Sequence, residues 1–81
     1  MYCVYVIQST KDKNLYIGHT NNLIKRFKEH NTGLVQSAES RKPFKLACYE
    51  ACNVLNDAIK REKSLKTGFG RAYLKRRLTD I

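Results

Sequence analysis

The chain has 81 residues, 42% of them hydrophobic, with sixteen Lys and Arg against seven Asp and Glu and a formal charge of +9. This apolar content suits one domain with a modest core and a chain that folds rather than stays disordered. The charge excess points to a polyanionic partner, and no apolar run approaches the ~20 residues of a membrane-spanning helix.

The N-terminal "MYCVYVIQSTK" has no basic segment ahead of its apolar run, so no signal peptide is expected. Cys3, Cys48 and Cys52 are odd in number and lack paired spacing, which fits a reduced, cytoplasmic setting. They read as buried small hydrophobes. A zinc site with His19 or His30 would lack any CxxC or HxxxH spacing.

Residues 2–8 alternate and are rich in Tyr and Val, which predicts a strand. "STKDKN" is a polar turn, and residues 15–19 form a second strand that runs into a turn at Gly18. The short connection makes the two an antiparallel hairpin. "TNN" offers capping side chains for a helix over 22–31, closed by Gly33. Residues 34–43 read as a polar loop ending at Pro43, which can enter a strand only at its first position or at an edge. "FKLACYEA" alternates as a third strand. Asn53 or Asn56 would cap a helix over 54–66, "TGFG" would break it, and "RAYLKRRL" would form a strongly basic last helix. The order ββαβαα predicts an α+β fold, a three-stranded antiparallel sheet flanked by helices, as a single domain over residues 1–81.

Helical periodicity assigns Leu23, Ile24 and Phe27 to the core face of the first helix. Arg26 and His30, four apart, lie together along one edge of that apolar stripe. Such a pair can be a snorkelling arginine beside a half-buried histidine, or part of a site. In the second helix Val54, Leu55, Ala58, Ile59 and Leu65 form the apolar arc, with Lys60, Arg61 and Lys63 outside it. Glu62 falls in the middle of the arc, and Lys66 lies within it at the helix end. A carboxylate facing a core must be paired, protonated or bound to a metal, because burying it bare costs several kcal/mol. Glu62 is therefore either an ion-pair partner, with Arg26 a candidate, or a ligand for a divalent cation.

Two tyrosines on adjacent strands, an Arg/His edge and an inward Glu together resemble the GIY-YIG nuclease superfamily. "CVY" at residues 3–5 stands for the first signature triplet, and "YIG" at 16–18 is the second intact. "TNNLIKRFKEHNTG" is similar to the arginine-bearing first helix of that family. "RKPFKLACYE" and "AIKREKSLKTGFGRAYLKRRL" resemble the later parts of its small stand-alone YhbQ-like (UPF0213) members. The chain departs from the pattern in having Cys3 and Val4 for Gly and Ile, and in lacking the asparagine some relatives carry after the glutamate.

The resemblance implies a metal-dependent endonuclease acting on DNA, in repair or recombination. It implies Tyr5 and Tyr16 as signature tyrosines, with Tyr16 activating water, Arg26 binding phosphate and Glu62 binding Mg²⁺ or Mn²⁺. His30 falls where the family has histidine or tyrosine, His19 where some members have lysine, and Gly18 on the motif glycine. A phenol titrates near 10, so a neighbouring cation is needed before it can act as a base. Eight of the sixteen Lys and Arg fall between Lys60 and Arg77. Of these, Lys60, Lys63, Lys66, Arg71, Lys75 and Arg76 are expected to contact phosphates without sequence choice. The partner expected is DNA, branched or damaged, with RNA also open, and neither a membrane nor a small-molecule cofactor. The alternative is a nucleic-acid-binding module with little cleavage of its own, acting with partner proteins. A basic membrane-surface protein would need an amphipathic anchor that is not evident.

Overall fold

The computed structural model describes residues 1–33 and 40–78. Three strands, β1 (Tyr2–Ser9), β2 (Leu15–Thr20) and β3 (Phe44–Cys52), form an antiparallel sheet in the order β2-β1-β3. Three helices follow the strands in chain order: α1 (Leu23–Thr32), α2 (Leu55–Leu65) and α3 (Gly68–Arg77). The α+β arrangement ββαβαα is the one expected.

Strand β1 is central and paired along both edges, helices cover both its faces, and Val4 through Ser9 are buried. Strand alternation then divides the core in two. Val4 and Val6 point to one face, with Ile17 of β2, Ala58 and Leu65 of α2 and Leu74 of α3. Tyr5 and Ile7 point to the other, with Phe44, Tyr16, Leu23 and Phe27. Each buried Val, Leu or Ile contributes about 1.5–3 kcal/mol over its exposed form. The register with β3 slips between Val6, opposite Cys48, and Ile7, opposite Leu46, so Ala47 is an extra residue on β3.

The β1–β2 turn is built from side chains. Ser9 Oγ accepts from the backbone N–H groups of Lys11 and Asp12, and Asp12 Oδ1 accepts from that of Asn14. Gln8 Nε2 donates to the Lys13 carbonyl, and Lys13 takes a left-handed φ of 66°. Ser9 Oγ also donates to the Arg41 carbonyl, the Thr10 N–H donates to the Pro43 carbonyl, and Arg41 pairs with Asp12 at 3.1 Å. The turn is thereby tied to the segment that enters β3.

Asn22 caps α1 by accepting from the Lys25 N–H, and Gly33 closes it with a φ of 84°. Both roles were expected from the sequence. Asn31 pins α1 to the start of β3, accepting from the Phe44 N–H and donating to its carbonyl. Of the expected loop, residues 34–39 lie outside the described residues.

Five sequence expectations are corrected. Ile24, assigned to the core face, is 72% exposed, while His30 on the stripe's edge is wholly buried. The helix is rotated so that Leu23, Arg26, Phe27 and His30 face the sheet, because the tyrosine-lined face receives a ring there. Neither Asn53 nor Asn56 caps α2: Val54 is its N-cap, without a side-chain bond, and Val54 and Leu55 are exposed. Arg61, expected to be solvated, forms two hydrogen bonds to Glu50 of β3 at 2.8 and 3.0 Å and lies 5.1 Å over the Tyr73 ring. The break expected at "TGFG" falls at Lys66 and Thr67 alone, and the last helix starts at Gly68 rather than at Arg71. Thr67 caps α3, accepting from the Gly70 N–H, so Gly68, Phe69 and Gly70 are its first turn. A Cβ on Gly70 would stand 2.5 Å from Leu65 Cα, so the glycine permits the close approach of α3 to α2. The three cysteines are free and half-buried rather than buried.

Candidate active site

Tyr5 is the centre of one cluster. It lies opposite Gly18 in the β1–β2 register and is 3% exposed. A Cβ at Gly18 would meet the Tyr5 hydroxyl and stand 2.6 Å from Cζ. Gly18 is therefore a close-approach residue inside β2, and the turn expected there is absent because β2 continues to Thr20. The Tyr5 hydroxyl and His30 Nε2 hydrogen-bond at 3.1 Å. The His30 ring stands edge-on to Tyr5, Tyr16 and Phe44, with its centroid 4.7 Å from that of Tyr16. Arg26, one turn before His30 on α1, interacts with the same phenol, which raises the Arg26 pKa and secures its charge.

His30 Nδ1 is buried and has no hydrogen-bond partner among the described residues. The bond to Tyr5 runs from Nε2–H to the phenol oxygen in one tautomer of neutral His30 and from the phenol O–H to Nε2 in the other. Burial, followed by the Arg26 charge, holds the His30 pKa below its ordinary value. Burial raises the Tyr5 pKa, and Arg26 offsets only part of that.

The second cluster lies on the opposite face of β2. His19 follows Gly18, so alternation turns it toward α2. There His19 Nδ1 lies 2.6 Å from Glu62 Oε1, and Lys66 Nζ donates to Oε2 at 2.8 Å. Glu62 is the inward carboxylate expected on α2, 17% exposed at its side chain. Its pairing partners are His19 and Lys66, whereas Arg26, the partner considered from sequence, pairs with Glu29 at 3.3 Å. Burial pushes the Glu62 carboxyl up, but the hydrogen bonds from Lys66 and His19 outweigh it and hold the pKa below the ordinary value. The Glu62 charge also bears on Tyr5, so the two clusters sense each other.

Two hollows connect these groups to solvent. One of about 410 Å³ is lined by His19 from one cluster and Arg26 from the other, with Asn22, Lys25 and Glu29. The larger, about 840 Å³, runs along the edge strand β2 and is lined by Tyr16 and five cations: Lys13, Arg41, Lys66, Arg71 and Lys75. Among the described residues no Asp or Glu lines it. Of the six basic residues expected at phosphates, Lys66, Arg71 and Lys75 line this hollow, and Lys60, Lys63 and Arg76 are exposed outside its lining. Lys13 and Arg41 were not singled out from sequence, because loop residues carry no periodicity. The Glu62–Lys66 bond did have a signal, the i,i+4 spacing of opposite charges.

Among the described residues no three His, Cys, Asp or Glu gather to hold a metal ion. Glu62 with His19 is a sparse donor set. It nevertheless fits a hydrated Mg²⁺ or Mn²⁺, which binds through one or two carboxylates, waters and substrate phosphates. The fit requires Lys66 to leave Oε2.

Comparison with known proteins agrees with this geometry. A family model described as the GIY-YIG catalytic domain matches residues 1–77. A UPF0213 protein of Syntrophus aciditrophicus is 40% identical over 65 residues, 78% of this chain and 74% of its own length. A UPF0213 protein of Clostridium perfringens is 40% identical over 67 residues, 82% of this chain and 71% of its own. One from Staphylococcus haemolyticus is 34% identical over 65 residues, 79% and 78% of the two chains. No solved structure matches with significance. On the family match and these relatives, the chain belongs to the GIY-YIG nuclease superfamily, among its small UPF0213 members.

Proposed function

We propose that residues 1–81 form one catalytic domain, a divalent-cation-dependent endonuclease that cuts DNA phosphodiester bonds in repair or recombination. The observation that carries this reading is Tyr16, packed against buried His30 on one side and opening on a hollow of five cations on the other. A phosphate drawn into that hollow reaches the candidate base. Arg26 takes a phosphate oxygen through its planar fork and stabilises charge as it develops at phosphorus. Tyr16, as the phenolate, accepts a proton from the attacking water. His30 fixes Tyr5 through the hydrogen bond at Nε2, and Tyr5 in turn orients Arg26. Glu62, steered by His19, would hold Mg²⁺ or Mn²⁺, which when bound neutralises phosphate charge and assists departure of the 3′ oxygen.

The test is nicking and cleavage of duplex DNA, branched DNA and RNA with Mg²⁺ or Mn²⁺, for the wild type, Glu62→Ala, Tyr16→Phe and Arg26→Ala. Each change should lower the rate at least ~100-fold, as loss of a catalytic proton-transfer or charge-stabilising group does. Cleavage that persists in Glu62→Ala and Tyr16→Phe, and in EDTA, refutes the mechanism. One observation favours a second reading, a binding module with little cleavage: both Glu62 oxygens already have protein partners. Tight, metal-independent DNA binding without cleavage under any cation would establish it.

A further inference from the structure

Phe69 is 93% exposed, more than Met1 at 76% or Ile24 at 72%, and is the most exposed large hydrophobic residue described. It stands in the first turn of α3, where a Cβ added to the preceding Gly68 would meet nothing within 4 Å. Nothing local requires it: phenylalanine is a mediocre helix former, Thr67 supplies the cap, and Gly70 and Leu74 make the buried contacts of α3. The chain around it is basic. Lys66 precedes it by three positions and lines the hollow beside Tyr16, and exposed Arg76, seven positions on, returns to its face of α3, whereas Arg71, two positions on, leaves the opposite flank. No acidic residue occurs from Gly68 to Arg77. A second copy of this chain would bring another +9 against this face. Charge complementarity favours a polyanion, and the polyanion whose repeating unit also offers a flat π-surface is nucleic acid.

We propose that Phe69 is a stacking platform for an unpaired base, so that the chain prefers nucleic acid with a single-stranded segment beside α3 over continuous duplex. This deepens the nuclease reading and rests on it. Phosphates drawn to Lys66 at the rim of the hollow would carry the strand across the start of α3, with Arg76 further along the Phe69 face. A base already out of a duplex can lie on the Phe69 ring without the cost of unstacking, whereas a base inside a duplex cannot.

The chain contains no tryptophan, so Phe69→Trp introduces a single fluorophore at this point. Oligothymidylate, a duplex of equal length and a flap made from the same strands are titrated in EDTA at several salt concentrations. Single strand and flap should quench the Trp emission strongly and duplex weakly. Phe69→Ala should weaken single-strand and flap binding about 5- to 100-fold, with duplex affinity and salt slope unchanged. Lys75→Ala should weaken all three and lower the salt slope by about one. The side chain is exposed, so both Phe69 variants should melt with the wild type. Wild-type binding that Phe69→Ala leaves intact, or weakens equally for duplex, overturns the proposal alone. So does a Trp emission that shifts with protein concentration without nucleic acid. A wild type that binds none of the three overturns the nucleic-acid reading and this inference with it.

Discussion

Substituting Gly18 by alanine tests whether the two signature strands hold Tyr5 by contact. Gly33 is the described glycine with a positive φ, so alanine at 18 meets no backbone penalty. The new Cβ would lie 2.6 Å from Tyr5 Cζ and 3.2 Å from Cε1, and would press on the hydroxyl. Carbon atoms pack at about 3.5–4 Å, so the ring must shift by roughly 1 Å. It has little freedom to do so, being 3% exposed and bonded to buried His30. Overpacking of this kind costs about 1–3 kcal/mol, while replacing glycine returns about 0.4–1 kcal/mol through the unfolded chain. The net loss is about 0.5–2 kcal/mol, a fall in Tm of about 2–16 °C for a domain of this size. Urea unfolding of a double-mutant cycle with Tyr5→Leu isolates the cause, because leucine lacks Cζ, Cε1 and the hydroxyl. In that background Gly18→Ala should be neutral or stabilising. An equal cost in both backgrounds, or none in either, refutes the steric account.

Two further predictions concern charge. Burial and the Arg26 charge lower the His30 pKa, so between that value and the unfolded value near 6.5 the unfolded chain binds more protons. The wild type should therefore lose stability as the pH falls below about 6.5, and His30→Leu should lack that component of the slope; equal slopes by urea midpoint from about pH 7.5 to 5 would count against a neutral buried His30. Lys66 holds Glu62 Oε2 at 2.8 Å with its own side chain 51% exposed, a pair contributing about 0.5–1 kcal/mol at most. Lys66→Met should raise Mn²⁺ affinity about two- to fivefold in an EPR titration, as the competing pair is worth that much, and Glu62→Gln should abolish the binding. No change in Lys66→Met would mean the lysine does not compete for the carboxylate.

The element order was legible because each element carries its own local signal. Alternation marked the three strands, Asn22 and Gly33 marked the ends of α1, and the inward Glu62 stood out against the apolar arc of α2. The errors share one physical origin. Periodicity ranks residues by hydrophobicity and cannot weigh what the opposing surface offers. Ile24 is more apolar than His30, yet His30 is the buried one, because the Tyr5 hydroxyl and three aromatic rings can satisfy an imidazole. Arg61 likewise leaves solvent for Glu50, a residue on β3 that its helical angle cannot reveal.

The site itself depends on β2 being an edge strand. Gly18 and His19 are adjacent, so they serve opposite faces, and a central strand would keep those faces apart. At an edge the two faces meet in solvent, and the smaller hollow takes His19 from one and Arg26 from the other. Under the proposed function, this meeting of faces is what would let a tyrosine cluster and a carboxylate on opposite sides of a sheet act on one phosphate. It also explains the turn chemistry that looked like mere connection. Ser9 and Asp12 hold the Arg41 segment against the hairpin, which sets Arg41 and Lys13 on the same edge as Tyr16. Two of the five cations in the large hollow are thus positioned by hydrogen bonds between loops, and those bonds exist only once the strands have paired.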